Sequence, residues 1–133
     1  MTTTRTEFEA AYLCRVDADD FAWAYNSARA ESPRIGDNSS PFTPCDEENT
    51  LYWTSADGLS GFAIRESGEL VNVFSLVPGR GDAIVTAAVD RGADCLDCFD
   101  GFLPAFYARH GFVETARQPN WTPGGPDVVW MSR

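Results

Sequence analysis

The chain contains no lysine, and its one histidine is His110. All ten basic residues are arginines, set against twenty aspartates and glutamates for a formal net charge of -10. Binding to a nucleic-acid backbone relies on clustered cations. With no basic block anywhere, nucleic acid is not an expected partner. No apolar run approaches the ~20 residues that cross a bilayer, so no membrane partner is expected either. The stretch Met1-Thr2-Thr3-Thr4-Arg5-Thr6-Glu7 lacks the apolar segment of a secretory signal, and the expected location is cytoplasmic. One histidine gives little basis for a metal centre, and no metal is expected. Four cysteines, Cys14, Cys45, Cys95 and Cys98, are expected as reduced thiols in that setting. Cys95 and Cys98 have CxxC spacing but fall on a strand-like segment. Side chains three apart on a strand point to opposite faces, so these two sulfurs should diverge.

What is present suffices for one domain. At 133 residues and 44% hydrophobic, the chain can bury a core without disulfide or metal staples. A single domain over residues 1–133 is expected. Its acidity makes it self-repelling at neutral pH.

Ala11 to Arg15 reads as a first strand. Asp17, Asp19 and Asp20 suit the cap and first turn of a helix, and Phe21, Tyr25 and Ala28 mark its apolar face. From residue 32 to 50 the periodicity stops. That stretch, rich in turn formers, is expected to be a long loop, with Ile35 and Phe42 as anchors and Arg34 as a cation. A loop of this length is often functional. Leu51 to Thr54, Gly61 to Arg65 and Glu69 to Val77 then follow as strands, joined at Asp57-Gly58 and at Glu66-Ser67-Gly68. They form an antiparallel meander. Next come a helix from Asp82 to Arg91, a strand from Cys95 to Phe99, a helix from Asp100 to His110, and strands over Phe112 to Ala116 and Asp127 to Met131. The expected class is mixed α/β (α+β): an antiparallel N-terminal meander followed by a βαβ crossover, with helices on both faces of a central mixed sheet.

The segment Glu69 to Val89 carries the strongest chemical signal. An apolar strand runs into Gly79-Arg80-Gly81, and a helix opens directly after. Two glycines let backbone N–H groups turn toward an anion and let it approach closely. The helix N-terminus adds about half a positive charge, and Arg80 is expected to add a mobile full one. Further on, Tyr107-Ala108-Arg109-His110-Gly111-Phe112 closes a helix and opens a strand.

This order of elements, with Gly-x-Gly opening one helix and Tyr-x-x-x-Gly-Phe ending the next, resembles the GCN5-related N-acetyltransferases. The resemblance is strongest from Gly61 to Ala116. It implies acetyl-CoA as cosubstrate and places the pantetheine against the backbone of Val73, Phe74 and Ser75, on a strand that splays from its neighbour. It implies a pyrophosphate wrapped by Gly79, Arg80, Gly81, Asp82 and Ala83. Asp100 stands where the family usually has Asn beside the pantetheine, and Leu76 where it usually has Gln or Arg. Tyr107 matches the tyrosine that protonates the departing thiolate, work suited to a phenol.

The acceptor is expected to be an amine, either a small molecule or a peptide. Glu69 is the first candidate for a general base, with Asp97, Glu47 and Glu48 as others; water can also relay the proton. His110 reads as an exposed helix-terminal residue favoured by the dipole. Arg34, Trp53 and Trp121 are the candidate acceptor-lining residues. Trp23 and Tyr25 are further aromatic candidates, and Trp130 with the edge strands offers a surface for a homodimer. Two other readings remain open. One is an acyl-CoA-binding or protein-interaction module with no turnover. The other is a transferase using another activated acyl or aminoacyl donor.

Overall fold

A computed structural model describes residues 13–37 and 49–133. Its elements are β1 (Leu13–Val16), α1 (Ala18–Glu31), α2 (Pro33–Gly36), β2 (Leu51–Ser55), β3 (Ser60–Ile64), β4 (Leu70–Ser75), α3 (Gly81–Asp90), β5 (Cys95–Phe99), α4 (Phe102–Ala108), β6 (Val113–Gln118) and β7 (Val128–Ser132). The expected mixed class and its order of elements are borne out. Strands β1 to β4 form one antiparallel sheet in chain order. Strands β5, β7 and β6 form a second, with β7 in the middle. A single parallel bridge, Glu69 to Cys95, joins the two.

Local chemistry sets the boundaries. Asp17 caps α1, its carboxylate accepting from the Asp20 N–H at 2.8 Å. Asp19 and Asp20 then sit in the first turn, where negative charge complements the helix dipole. Ser32 ends α1 and begins α2, for its hydroxyl accepts from the Ile35 N–H. Proline suits the first position of a helix, so Pro33 starts a new turn here. The expected loop from residue 32 therefore opens with a short helix, and Ile35 is buried in it. Residues 38–48, which include Phe42, Cys45, Glu47 and Glu48, lie outside the described residues. The helix expected from Asp100 begins only at Phe102, after Gly101 at φ 125°. Pro104 falls in its first turn, where a missing N–H is tolerated.

Helices cover both faces of the first sheet, and the strand residues alternate between two clusters. On one face Phe21, Tyr25 and Ala28 of α1 meet Tyr52, Ala63 and Phe74. On the other, Trp53, Phe62, Ile64 and Leu70 pack with Ile84, Val85 and Ala88 of α3, and with Leu96, Tyr107, Phe112, Val129 and Met131. Burying such a side chain contributes roughly 2 kcal/mol. This double burial explains why β2 and β3 read as nearly continuous apolar runs.

Strand β4 breaks the alternation. Gly61 pairs with Phe74 and Ala63 with Val71, so Phe62 faces two residues, Asn72 and Val73. Asn72 absorbs this bulge at φ 56°, a conformation asparagine tolerates better than most residues. The bulge returns Val73 to the face that Leu70 occupies, three residues earlier. It lies on the stretch of β4 that has no partner in β5.

Candidate active site

Strands β4 and β5 run parallel and are bonded only at Glu69 and Cys95, near their N-terminal ends. Beyond that bridge they enter separate sheets. The divergence leaves Val73, Phe74 and Ser75 without a ladder partner in β5, on the stretch where the resemblance places an acyl-pantetheine. Tyr107 of α4 is buried in the core cluster against which Val73 and Cys98 pack, and it lies near Cys98 and Asp97 of β5. Its ring meets Phe106 at 5.2 Å and Phe112 at 5.9 Å. Burial, with lesser contributions from Cys98 and Asp97, raises the phenol above its ordinary range. Tyr107 is therefore a neutral phenol throughout the physiological range. Burial and the nearby Asp97 and Asp100 also push the Cys98 thiol up to about 11. A thiol in that state is a poor nucleophile.

The chain leaves β4 through Ser75, whose hydroxyl accepts from the Val77 N–H at 3.1 Å and donates to the Val77 carbonyl at 2.8 Å. Gly79 follows at φ 84°, and α3 opens with Arg80 at its N-cap and no side-chain cap. The first helical bond runs from the Ile84 N–H to the Arg80 carbonyl at 3.0 Å. The N–H groups of Gly81, Asp82 and Ala83 thus precede it, without acceptors inside the helix. A Cβ on Gly81 would lie 3.1 Å from the Phe106 ring, so this position favours a residue without one. The Asp82 carboxylate does not turn back as a cap. It accepts from Arg109 at 3.0 Å and pairs with His110 Nε2 at 2.9 Å, which offsets its charge beside the turn.

Several sequence expectations need correction. Arg80 is not a mobile cation, because its side chain is 9% exposed and bound to Asp57 and Ser60. Trp53 is a core residue stacked on Phe62 at 5.1 Å. The recess it lines, of about 210 Å³, also includes Gly68, Arg91 and Gly92. It sits at the C-terminal end of α3, about 15 Å along the helix from the glycine turn. His110 is not exposed: its side chain is 12% accessible and packs on Phe106. Asp100 is tied to Arg117 at 2.6 Å rather than left open toward a ligand. That contact holds its carboxyl below the usual range. Arg117 also binds Glu114 and Asp127. Trp130 lies on the central strand β7, paired on both sides, and cannot offer a sheet edge.

Other expected residues are placed as follows. Arg34 on α2 donates to the Ser75 carbonyl at 3.3 Å, which brings it to the open end of β4. Trp121 is 75% exposed beside Phe99, at the open end of β5. Glu69 lies at the joined end, where Arg65 holds its carboxylate. Asp97 is exposed on β5. Trp23 is exposed on α1 and Tyr25 is core. Sequence reasoning missed Asp57 and Ser60. Asp57-Gly58 had been read only as a hairpin turn, and nothing local links it to a residue more than twenty positions later.

With this geometry in view, the fold is of the N-acetyltransferase type. Two solved structures share it over nearly their whole length. One is a "putative N-acetyltransferase" from Lactobacillus plantarum, with a TM-score of 0.58 and 17% identity, covering 91% of this chain and 97% of that one. The other is a "putative acyl-CoA N-acyltransferase" from Klebsiella pneumoniae, with a TM-score of 0.52 and 18% identity, covering 92% and 97%. No family model matches the sequence, and no curated protein does. Among the described residues there is no cluster that could hold a metal ion, and no helix long and apolar enough to cross a membrane.

Proposed function

We propose that the chain is an N-acyltransferase that moves an acetyl group from acetyl-CoA directly to an amine. One observation carries the reading. Strands β4 and β5 are bridged only at Glu69 and Cys95, and the chain leaves the far end of β4 through the glycine turn into the uncapped start of α3. The donor supplies an activated acyl thioester. The N–H groups of Gly81, Asp82 and Ala83 would hold its diphosphate, and the backbone of Val73 to Ser75 its pantetheine. N–H groups of the same strand would stabilise charge developing on the acyl oxygen. As the C–N bond forms and the C–S bond breaks, the Tyr107 hydroxyl gives its proton to the sulfur. The proton lost by the amine is relayed through water and restores the Tyr107 phenol. Arg34 and Trp121, at the two open strand ends, would meet the acceptor. The raised Cys98 pKa favours direct transfer over an acyl-cysteine intermediate. Cytoplasmic action fits the same reading.

Thermal-shift and calorimetric titration with acetyl-CoA tests this, on the wild type and on Gly81→Glu. The new side chain would run into Phe106 and set a carboxylate among the phosphate-binding groups. Binding by the wild type and its loss in the variant supports the reading, whereas a wild type that binds no acetyl-CoA overturns it. The engagement of Glu69 by Arg65 favours a second reading, a CoA-binding module without turnover. That protein would bind acetyl-CoA yet acetylate no member of a panel of amines.

A further inference from the structure

The feature the reading above leaves unexplained is a buried charge inside the glycine turn. Arg80 stands between Gly79 and Gly81, yet its guanidinium points into the protein. Taking a guanidinium out of water is unfavourable unless its donors are satisfied, and here the partners are specific. Nη2 donates to Asp57 Oδ2 at 2.8 Å, and Nη1 to Asp57 Oδ1 at 3.2 Å and Ser60 Oγ at 3.0 Å. This is the planar two-pronged pairing that arginine makes and lysine does not.

The contacts continue in both directions. Asp57 is itself fixed, accepting from the Ser55 hydroxyl at 2.5 Å and the Leu59 N–H at 3.0 Å. Ser60 Oγ lies 3.0 Å from Ser75 Oγ. Each hydroxyl has one proton, and that of Ser75 goes to the Val77 carbonyl. The Ser60 hydroxyl therefore donates to Ser75. The result is one directed chain: Arg80 to Ser60, Ser60 to Ser75, and Ser75 to Val77. The turn between β2 and β3 thus grips the glycine turn at Arg80 and, through two serines, at Val77 just upstream. Gly79 and Gly81 are the residues with most backbone freedom to lose on ordering. An anion site built from backbone N–H groups binds well only if those groups are already held in place.

We propose that Asp57 is a positioning residue for the diphosphate of the donor, acting through Arg80 without touching the ligand. The role in donor binding rests on the acyltransferase reading, but the ordering of the turn does not.

The test is amide hydrogen exchange on the ligand-free protein, followed by calorimetric titration with CoA. The variants are Asp57→Ala and the milder Ser60→Ala, which removes the hydroxyl link while sparing the ion pair. Asp57→Ala should speed exchange about tenfold or more at Val77 and Ile84, the hydrogen-bonded amides that flank the turn, while α1 keeps its protection. Ser60→Ala should do the same to a lesser degree. The CoA Kd of Asp57→Ala should rise about tenfold, and kcat at saturating donor should stay near the wild-type value. Unchanged exchange at Val77 and Ile84 in both variants overturns the proposal, as does loosening spread evenly over the protein. Local loosening with an unchanged CoA Kd overturns the positioning role alone. A wild type that binds no CoA overturns the acyltransferase reading and the positioning role with it, and the exchange data still decide whether Asp57 orders the turn.

Discussion

Removing either partner of the Asp57–Arg80 pair should have unequal consequences, because the two side chains differ in exposure. Asp57→Ala leaves a guanidinium that is 9% exposed without its carboxylate, whereas Arg80→Met leaves a carboxylate that is 35% exposed. Breaking a fully buried ion pair costs about 3–5 kcal/mol, mostly for the charge left behind. Partial exposure of Asp57 lets water reach the site, so for Asp57→Ala we expect about 2–3 kcal/mol. In Arg80→Met the carboxylate keeps its bonds from Ser55 and Leu59 and gains water. Methionine replaces much of the aliphatic stem. That variant should lose no more than about 1 kcal/mol, near the range for exposed pairs. The double variant should resemble Arg80→Met, since the buried unpaired charge is gone, so the coupling should match the Asp57→Ala loss in magnitude, about 2–3 kcal/mol. Urea denaturation reads this as shifts in midpoint at constant m-value. Equal losses for the two single variants, or an additive double variant, would refute the argument from exposure.

Tyr107→Phe should lower kcat by roughly 10²–10⁴-fold, the usual contribution of a general acid, while acetyl-CoA affinity stays within about threefold; a fall in kcat smaller than threefold, measured by thiol release with an accepted amine, would remove the tyrosine from the chemistry. Because burial raises the Tyr107 pKa, folding favours the neutral phenol. The stability this gives is intact below the ordinary phenol pKa of about 10 and is lost as pH rises through the shifted value. Activity should therefore show no alkaline fall from Tyr107 below about pH 10, and a limb near pH 8 that vanishes in Tyr107→Phe would contradict it. Raising salt from about 10 to 100 mM shortens the screening length from about 30 to 10 Å. For a chain of net charge -10, this should speed donor association in stopped-flow mixing, and marked slowing would mean that a positive field steers the donor.

The elements whose patterning one short window determines were legible from the sequence. Strand β5 falls on the expected residues, and α1 has the expected cap at Asp17 and the expected apolar face of Phe21, Tyr25 and Ala28. Both carry periodic apolar residues with capping or turn chemistry at their ends. The glycine turn and Tyr107 were found because spacing along one chain encodes them. What stayed hidden depends on residues far apart in sequence. Arg80 was read as turned toward a ligand because its flanking glycines suggest an anion site, while its true partner waits in a hairpin read for its turn propensity alone. Trp53 looked available because a tryptophan on a short strand can face either way. Helices on both faces of β2 decide the matter, and that covering is tertiary. The bulge at Asn72 was also invisible, since its only local sign is one asparagine in an apolar run.

The acidity of the whole chain and the anion-binding character of the turn are compatible for a local reason. Two carboxylates lie close to the turn, and each is offset by a cation contributed from elsewhere in the fold. Arg80 neutralises Asp57 from within, and Arg109 with His110 engages Asp82 at the rim. After these pairings the nearby charge is that of the α3 N-terminus, worth about half a proton. It has the sign a diphosphate needs. At physiological salt a charge more than about 8 Å away is largely screened, so the distant carboxylates bear more on the rate of encounter than on the bound state. Arg80 then matters less as a charge offered to the ligand than as the group that fixes the N–H donors. In an acidic protein the two roles compete for one side chain, and burial on Asp57 settles the competition in favour of geometry.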